Sequence, residues 1–329
     1  MRFIRAVAVA SLAASPAFAQ GGGAAATASC TSVAADACQQ AVDFFRYMAP
    51  QLGTAITGGN TTLAQGGSMG GPRLGFIPKI AVSARLNVVM GGTPTYAPAA
   101  QAPGATAPPA AQQIVTKNAM VPMPSVDVAL GVFGGIPLGV TKVGGVDVLA
   151  SAAYLPEITG DDFSLKPDES LSLGYGLRIG LLQESLVAPG VGFSFLARSL
   201  PVTSLEATGG GADFTVSKLD LSSTAWRITA SKSLLIIGLA AGFGQDKYKV
   251  SHSGIAADIS GQTATVPATS VPTITRNNVF VDATMNLFVL KIVATGGMVS
   301  GGEVLTYNSF DNPANKSRLY GSVGVRFGL

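Results

Sequence analysis

Ten ionised residues interrupt otherwise apolar or small-residue stretches of this 329-residue chain: Lys79, Arg85, Asp127, Asp147, Arg178, Arg198, Arg227, Asp282, Lys291 and Arg326. Side chains of this kind lining a common interior would select anions if that interior held water. They would pair with one another and close it if it did not, and both readings stand. Acid–base or nucleophilic chemistry has little to work with. His252 is the only histidine, and nothing in the spacing of Asp161, Asp162 or Asp168 ties a carboxylate to it. No phosphate loop occurs; Gly174 and Gly176 begin a G-x-G-x-x-G pattern, but Ile179 stands at its third glycine. No catalytic residue or cofactor is therefore assigned, and an enzyme is not expected. Cys30 and Cys38 are the only cysteines; a disulfide closing their short loop is the leading reading, with two unlinked thiols the alternative. A metal site would need more ligands than a distant lone histidine supplies, so none is expected.

The elements that position the ten charges have period two. In LSLGYGLRIGLL, residues 171–182, leucine, tyrosine and isoleucine fill the odd positions, and serine, glycine and Arg178 the even ones up to Gly180. Similar alternation runs through stretches around 79–89, 125–132, 146–154, 192–199, 225–229, 234–244, 279–287, 289–298 and 319–329. All ten charges share a face with the small and polar residues, and none falls centrally on the apolar face. A basic side chain turned to lipid at mid-bilayer costs roughly 2 to 4 kcal/mol, so this sorting is what a lipid-facing strand requires. A soluble sandwich would carry far more lysine and glutamate outside.

Composition agrees: 47% of residues are hydrophobic and only 12% charged, about half the charged share usual for soluble domains. After the N-terminus no apolar run is long enough for a membrane helix. Met1–Ala19, with Arg2 and Arg5, an apolar run from Ala6 to Ala14 and Ala17-Phe18-Ala19, reads as a secretory signal cut before Gln20. The formal net charge of +3 is too small to imply nucleic acid. Connections near 91–123, 156–170, 204–213, 250–275 and 300–316 are expected to be long and to alternate with short ones, as external loops and periplasmic turns do. The 91–123 segment is Pro/Ala-rich and expected to be extended or disordered.

The expected fold is all-β: a transmembrane up-and-down antiparallel β-barrel of about ten strands, within a range of about 8 to 14, preceded by a short helical plug. The chain divides into a signal at 1–19, plug and linker at 20–71, and barrel at 72–329. Within the plug, Phe44, Phe45, Met48 and Leu52 have helical spacing, and Pro50 is expected to kink or divide the run into one or two short helices. These side chains either line a hydrophobic binding site or pack a permanent cork. GGNTTLAQGGSMGGP, 58–72, reads as a flexible connection. In FTVSKLDLSSTAWRI the apolar residues change parity twice, which calls for bulges or an extension beyond the membrane. Lys247 and Lys249 lie on the lipid-facing parity and are expected above the bilayer.

The alternating Leu329, Phe327, Val325 and Val323 resemble the C-terminal assembly signal of Gram-negative outer-membrane proteins, with leucine where the last residue is usually aromatic. That resemblance implies export, outer-membrane lipid as surroundings and the barrel-assembly machinery as a partner of the last strand. An N-terminal helical segment followed by GLRIGLLQESLVAPGVGFSFLARSL and WRITASKSLLIIGLAAGFG is similar to the long-chain fatty-acid, or hydrophobic-compound, transporter family of the outer membrane. Members of that family have fourteen strands, a lumen plugged by the N-terminal segment and a hydrophobic solute. Its Asn-Pro-Ala signature belongs near the N-terminus, whereas Asn312-Pro313-Ala314 lies here in the last outer connection. Two functions follow: passage or binding of a small hydrophobic or anionic solute through a plugged lumen, or a structural, surface-contact role without transport.

Overall fold

The computed structural model describes residues 24–58, 64–71, 78–105, 107–160 and 163–328. The signal segment with its cleavage site, Asp161, Asp162 and Leu329 lie outside these residues. Ten strands form the ring: β1 Lys79–Pro94, β2 Thr116–Phe133, β3 Gly145–Tyr154, β4 Leu171–Leu182, β5 Gly190–Gly209, β6 Ala212–Leu234, β7 Ile237–Ile259, β8 Gln262–Leu287, β9 Leu290–Ser300 and β10 Arg318–Gly328. Each is antiparallel to the next, and β10 returns to β1 with Phe327 opposite Val82, so the sheet closes without a free edge in the ring. Closure is what lets strands cross lipid, because every backbone group then finds a partner within the wall.

Alternation sorts the wall as the sequence requires. On β4, Leu173, Tyr175, Leu177 and Ile179 are exposed on the outside while Arg178, inside, is 1% exposed. Val82 and Leu86, Val126, Val281, and Val323 and Phe327 continue the exposed apolar band around the ring. A water-soluble barrel would not leave this band uncovered. No described helix is long and apolar enough to cross a membrane; the crossing elements are strands.

Two expected loops are strand instead. The stretches 204–213 and 250–275 belong to β5 through β8, which run on past the band and turn at Gly210-Gly211 and Ser260-Gly261, all four residues having φ between 55° and 76°. Above the band the faces exchange character. Leu205, Ala207, Phe214, Val216, Leu219, Leu221, Val250, Ile255, Ala257 and Ile259 point inward and are buried, with polar neighbours outside. The two parity changes in β6 thus have different causes. The first, between Val216 and Leu219, is a backbone irregularity at Lys218, whose φ is 49°. The second, between Leu221 and Trp226, occurs where the outer medium changes from water to lipid.

The apolar interior of this extension surrounds α1, Ala35–Thr57, a single helix of 23 residues that carries Pro50 without dividing. Of the one or two helices expected there is one: the run is not divided at Pro50, and the Thr54 hydroxyl donates to the Pro50 carbonyl at 2.8 Å. Cys30 and Cys38 are disulfide-bonded ahead of and within the first turn. The 91–123 segment is extended in part, with β1 and β2 reaching into both its ends and Gln113–Ile114 pairing with Ser309–Phe310.

Candidate functional site

Helix α1 stands in the lumen with its outer half in the apolar extension and its C-terminal end among the charges. Phe44 stacks on Phe163 and meets Phe214 edge-on at 5.1 Å. Phe45 packs edge-on against the His252 ring at 4.7 Å, and Met48 and Leu52 are buried in the same cluster. Asp43 fastens the helix to the last outer loop, accepting from the Tyr307 and Asn308 N–H groups and the Asn308 amide. Burial pushes the Asp43 carboxyl above its ordinary range, opposed by those two backbone donors. Tyr96 closes the outer mouth, its phenol raised by burial and donating to the Ala37 carbonyl.

Lower down, the expected inward charges meet. Asp127 holds two guanidiniums at once: Arg85 Nε at 2.6 Å and Arg198 Nη2 at 3.3 Å. Both arginines then reach the end of the helix, Arg85 Nη1 donating to the Gly58 carbonyl at 3.0 Å and Arg198 Nη1 to the Ile56 carbonyl at 2.6 Å. A helix C-terminus presents carbonyls without intrahelical donors and a partial negative charge, so cations are the natural caps there. Arg178 pairs with Asp147 at 2.6 Å, and Arg227 with Asp246 at 2.6 Å. Asp282 accepts from Thr295 at 2.6 Å. Lys79 donates to the Met69 carbonyl, and Arg326 to the Gln65 side chain.

Besides Asp36 and Asp43 of the helix, three buried charges of the wall are missing from the sequence reading: Asp246, Arg276 and Arg318. Asp246 shares the even parity of Gly242 and Gly244, so extending that face two residues would have found it; it also accepts from Thr57, Tyr248 and Asn278. Arg276 lies where β8 passes into the extension and Arg318 opens β10, its guanidinium 5.9 Å from the centre of the Tyr47 ring while donating to its hydroxyl. His252 is buried against the plug, and no described hydrogen bond or ion pair joins it to Asp168. Among the described residues no cluster of three or more histidine, cysteine or acidic side chains is placed to hold a metal.

Of the expected flexible connection 58–72, residues 59–63 and 72 lie outside the described residues, and the part between them is seated on the wall. Residues 64–71 lie across the periplasmic end of the lumen, with the Met69 N–H donating to Asp147 and the Gln65 carbonyl accepting from Arg178. The wall makes room with glycine. A Cβ at Gly180 would stand 2.7 Å from the Ser68 nitrogen, and one at Gly192 would overlap the Gly66 carbonyl. Gly192→Val is therefore expected to lower stability by about 1–3 kcal/mol in urea titrations, the usual cost of overpacking. An unchanged midpoint would show that the linker is not seated there. The other inward glycines accommodate the wall's own side chains: Gly174 faces Arg198, Gly242 faces Phe280, Gly244 faces Arg227, and Gly238 alone of this group faces space.

No family model matches the sequence, and no curated protein does. The barrel is similar to the translocator domain of autotransporter NalP from Neisseria meningitidis, with a TM-score of 0.38 and 10% identity over 76% of this chain and 88% of that one. It is similar also to the outer membrane protease OmpT from Escherichia coli (TM-score 0.34, 10% identity, 77% and 96% covered) and to the Pseudomonas putida toluene transporter TodX (0.32, 11%, 80% and 96%). The chain is an outer-membrane β-barrel. What carries that statement is the closed ring, the exposed apolar band and the charges sealed within, because likenesses this distant say nothing of activity. The similarity to fatty-acid transporters is not specific: the ring has ten strands where that family has fourteen.

Proposed function

We propose that this barrel is a shut conduit of the Gram-negative outer membrane for a small hydrophobic or anionic solute, with α1 as its plug. The observation that carries the reading is the joint at the helix end: a separate segment of chain fills the lumen and is gripped by Arg85 and Arg198 through its last carbonyls. Below it, the wall is lined by charged and polar side chains with an excess of basic groups, which favours anions wherever water enters. Burial of Phe44, Phe45, Tyr47, Met48, Leu52 and Ile56 holds the plug by about 10 kcal/mol or more, so the resting barrel is closed and opening needs an agent that binds the displaced state. The reading assigns no catalytic step.

The extension of β5 through β8 above the apolar band favours a second reading, a surface-contact barrel in which α1 is only the core of the protruding part. Removing residues 20–57 and recording in planar bilayers separates the two. The conduit reading expects steady current from the truncated barrel and near-silence from the full chain. Silence from a truncated barrel that still migrates as folded would leave the surface-contact reading.

A further inference from the structure

Beneath the linker, at the periplasmic end, a cavity of about 90 Å³ remains, bounded by Gln65 of the linker, Gln183 and Glu184 of the β4–β5 turn, and Thr284, Asn286 and Lys291 of β8 and β9. Lys291 makes no hydrogen bond or ion pair with any described residue. The charges that act on it are Arg326 and Glu184. Glu184 is engaged elsewhere, accepting from the Ser233 N–H at 2.6 Å and the Ser231 hydroxyl at 3.4 Å. Arg326 is engaged by Gln65. On the same wall Thr284, 7% exposed, has a hydroxyl with no hydrogen-bond partner, and the side-chain oxygen of Asn286 has none either. Buried polar groups of this kind ordinarily find a partner in protein, water or ligand.

We propose that this cavity binds a small organic monoanion, a carboxylate of a few heavy atoms, with the Lys291 ammonium as its charge partner and the Thr284 hydroxyl as a second donor. Lys291 and Glu184 border the space and Arg326 acts on Lys291 from beyond Gln65, so cations outnumber the carboxylate by one, which disfavours a dianion. The volume has room for only a few heavy atoms. Gly238 forms part of the wall, and its Cβ position is 3.4 Å from Thr284 and 3.6 Å from Ser233, so a side chain there enters the cavity without meeting backbone. Because Gln65 borders the cavity and is also held by Arg326 and, through its carbonyl, by Arg178, an anion there touches the segment that ties plug to wall. The site stands whether or not solute crosses the barrel.

The test uses the full chain in detergent micelles and carbon-13 acetate as the probe, followed by NMR line broadening against a chloride background, with sulfate, a dianion, as competitor. Saturable acetate binding is expected, with sulfate the poorer competitor. Lys291→Gln should weaken it about tenfold or more, the usual worth of a hydrogen bond to a charged group. Lys291→Arg should retain it, and Gly238→Leu should remove it by filling the space at constant charge. Absence of saturation, or saturation unchanged in both Lys291→Gln and Gly238→Leu, overturns the site; sulfate competing as well as acetate overturns the monoanion assignment. Saturable binding in a barrel that is silent after plug removal would keep the site and discard the conduit, and current without saturation would do the reverse.

Discussion

Asp127→Ala is expected to lower the unfolding free energy of the barrel by about 3–5 kcal/mol, the cost of breaking a buried ion pair from one side. The reason lies in what remains. Arg85 and Arg198 both lean on this one carboxylate, and each is at most 8% exposed. Removing it leaves two guanidiniums facing each other in a space that water reaches poorly, held only by Asn87, Ser151 and the helix-end carbonyls. Replacing the whole group, as in Arg85→Met with Asp127→Leu and Arg198→Met, should cost less than Asp127→Ala alone, because no charge is then stranded. Urea titrations in detergent, followed by tryptophan fluorescence of Trp226, measure both. A loss below about 1 kcal/mol for Asp127→Ala would mean that the middle of the lumen is hydrated, since exposed pairs are worth no more than that. The closed-lumen description would then fail.

Much of this geometry is legible in the sequence, because the rule that writes it is severe: an ionised group cannot face lipid cheaply, so parity alone assigns Asp147 and Arg178 to the inside. The pairing of those two is not legible. They meet because β3 and β4 are neighbours with Asp147 opposite Arg178, and register follows from the turn and the closure of the ring. Two stretches of the protruding half, 204–213 and 250–275, read as loops in the sequence for a physical reason, although the parity changes between Phe214 and Ile228 already call for bulges or an extension beyond the membrane. Where β5 to β8 leave the membrane, the outer medium becomes water and the apolar residues move to the inner face, so Leu205 and Ile255 keep a strand pattern that no longer matches a lipid-facing one. Serine, threonine and glycine between them then look like loop composition. The glycine-rich linker was misread for a related reason. Glycine signals freedom when the chain is read alone, but here it signals close approach of two backbones, as at Gly66 and Gly192.

The gate itself can be addressed by a redox staple between plug and wall. Tyr248 of β7 is fully buried, and its ring lies over Gly53 of α1; a Cβ at Gly53 would stand 2.6 Å from the Tyr248 Cγ. With the Tyr248 Cβ one bond from that Cγ, the two Cβ positions are no more than about 4 Å apart, within reach of a disulfide. In the double variant Gly53→Cys with Tyr248→Cys, the oxidised form should therefore lock the helix against the wall and abolish current. Reduction should do more than restore the native state. Loss of the aromatic ring removes packing worth about 3–5 kcal/mol and breaks the hydroxyl contacts to Thr57 and Asp246. At 1.4 kcal/mol per factor of ten, the open population should rise by about two to three orders of magnitude. Openings too rare to see in the parent chain then enter the range of single-channel recording. Tyr248→Cys alone, which has no partner thiol, should show the same openings in both redox conditions, separating the staple from any effect of reducing Cys30 and Cys38. Equal current from the oxidised and reduced double variant would show that solute and ions do not pass where the helix stands, and the plug would have to be regarded as part of the barrel's permanent core.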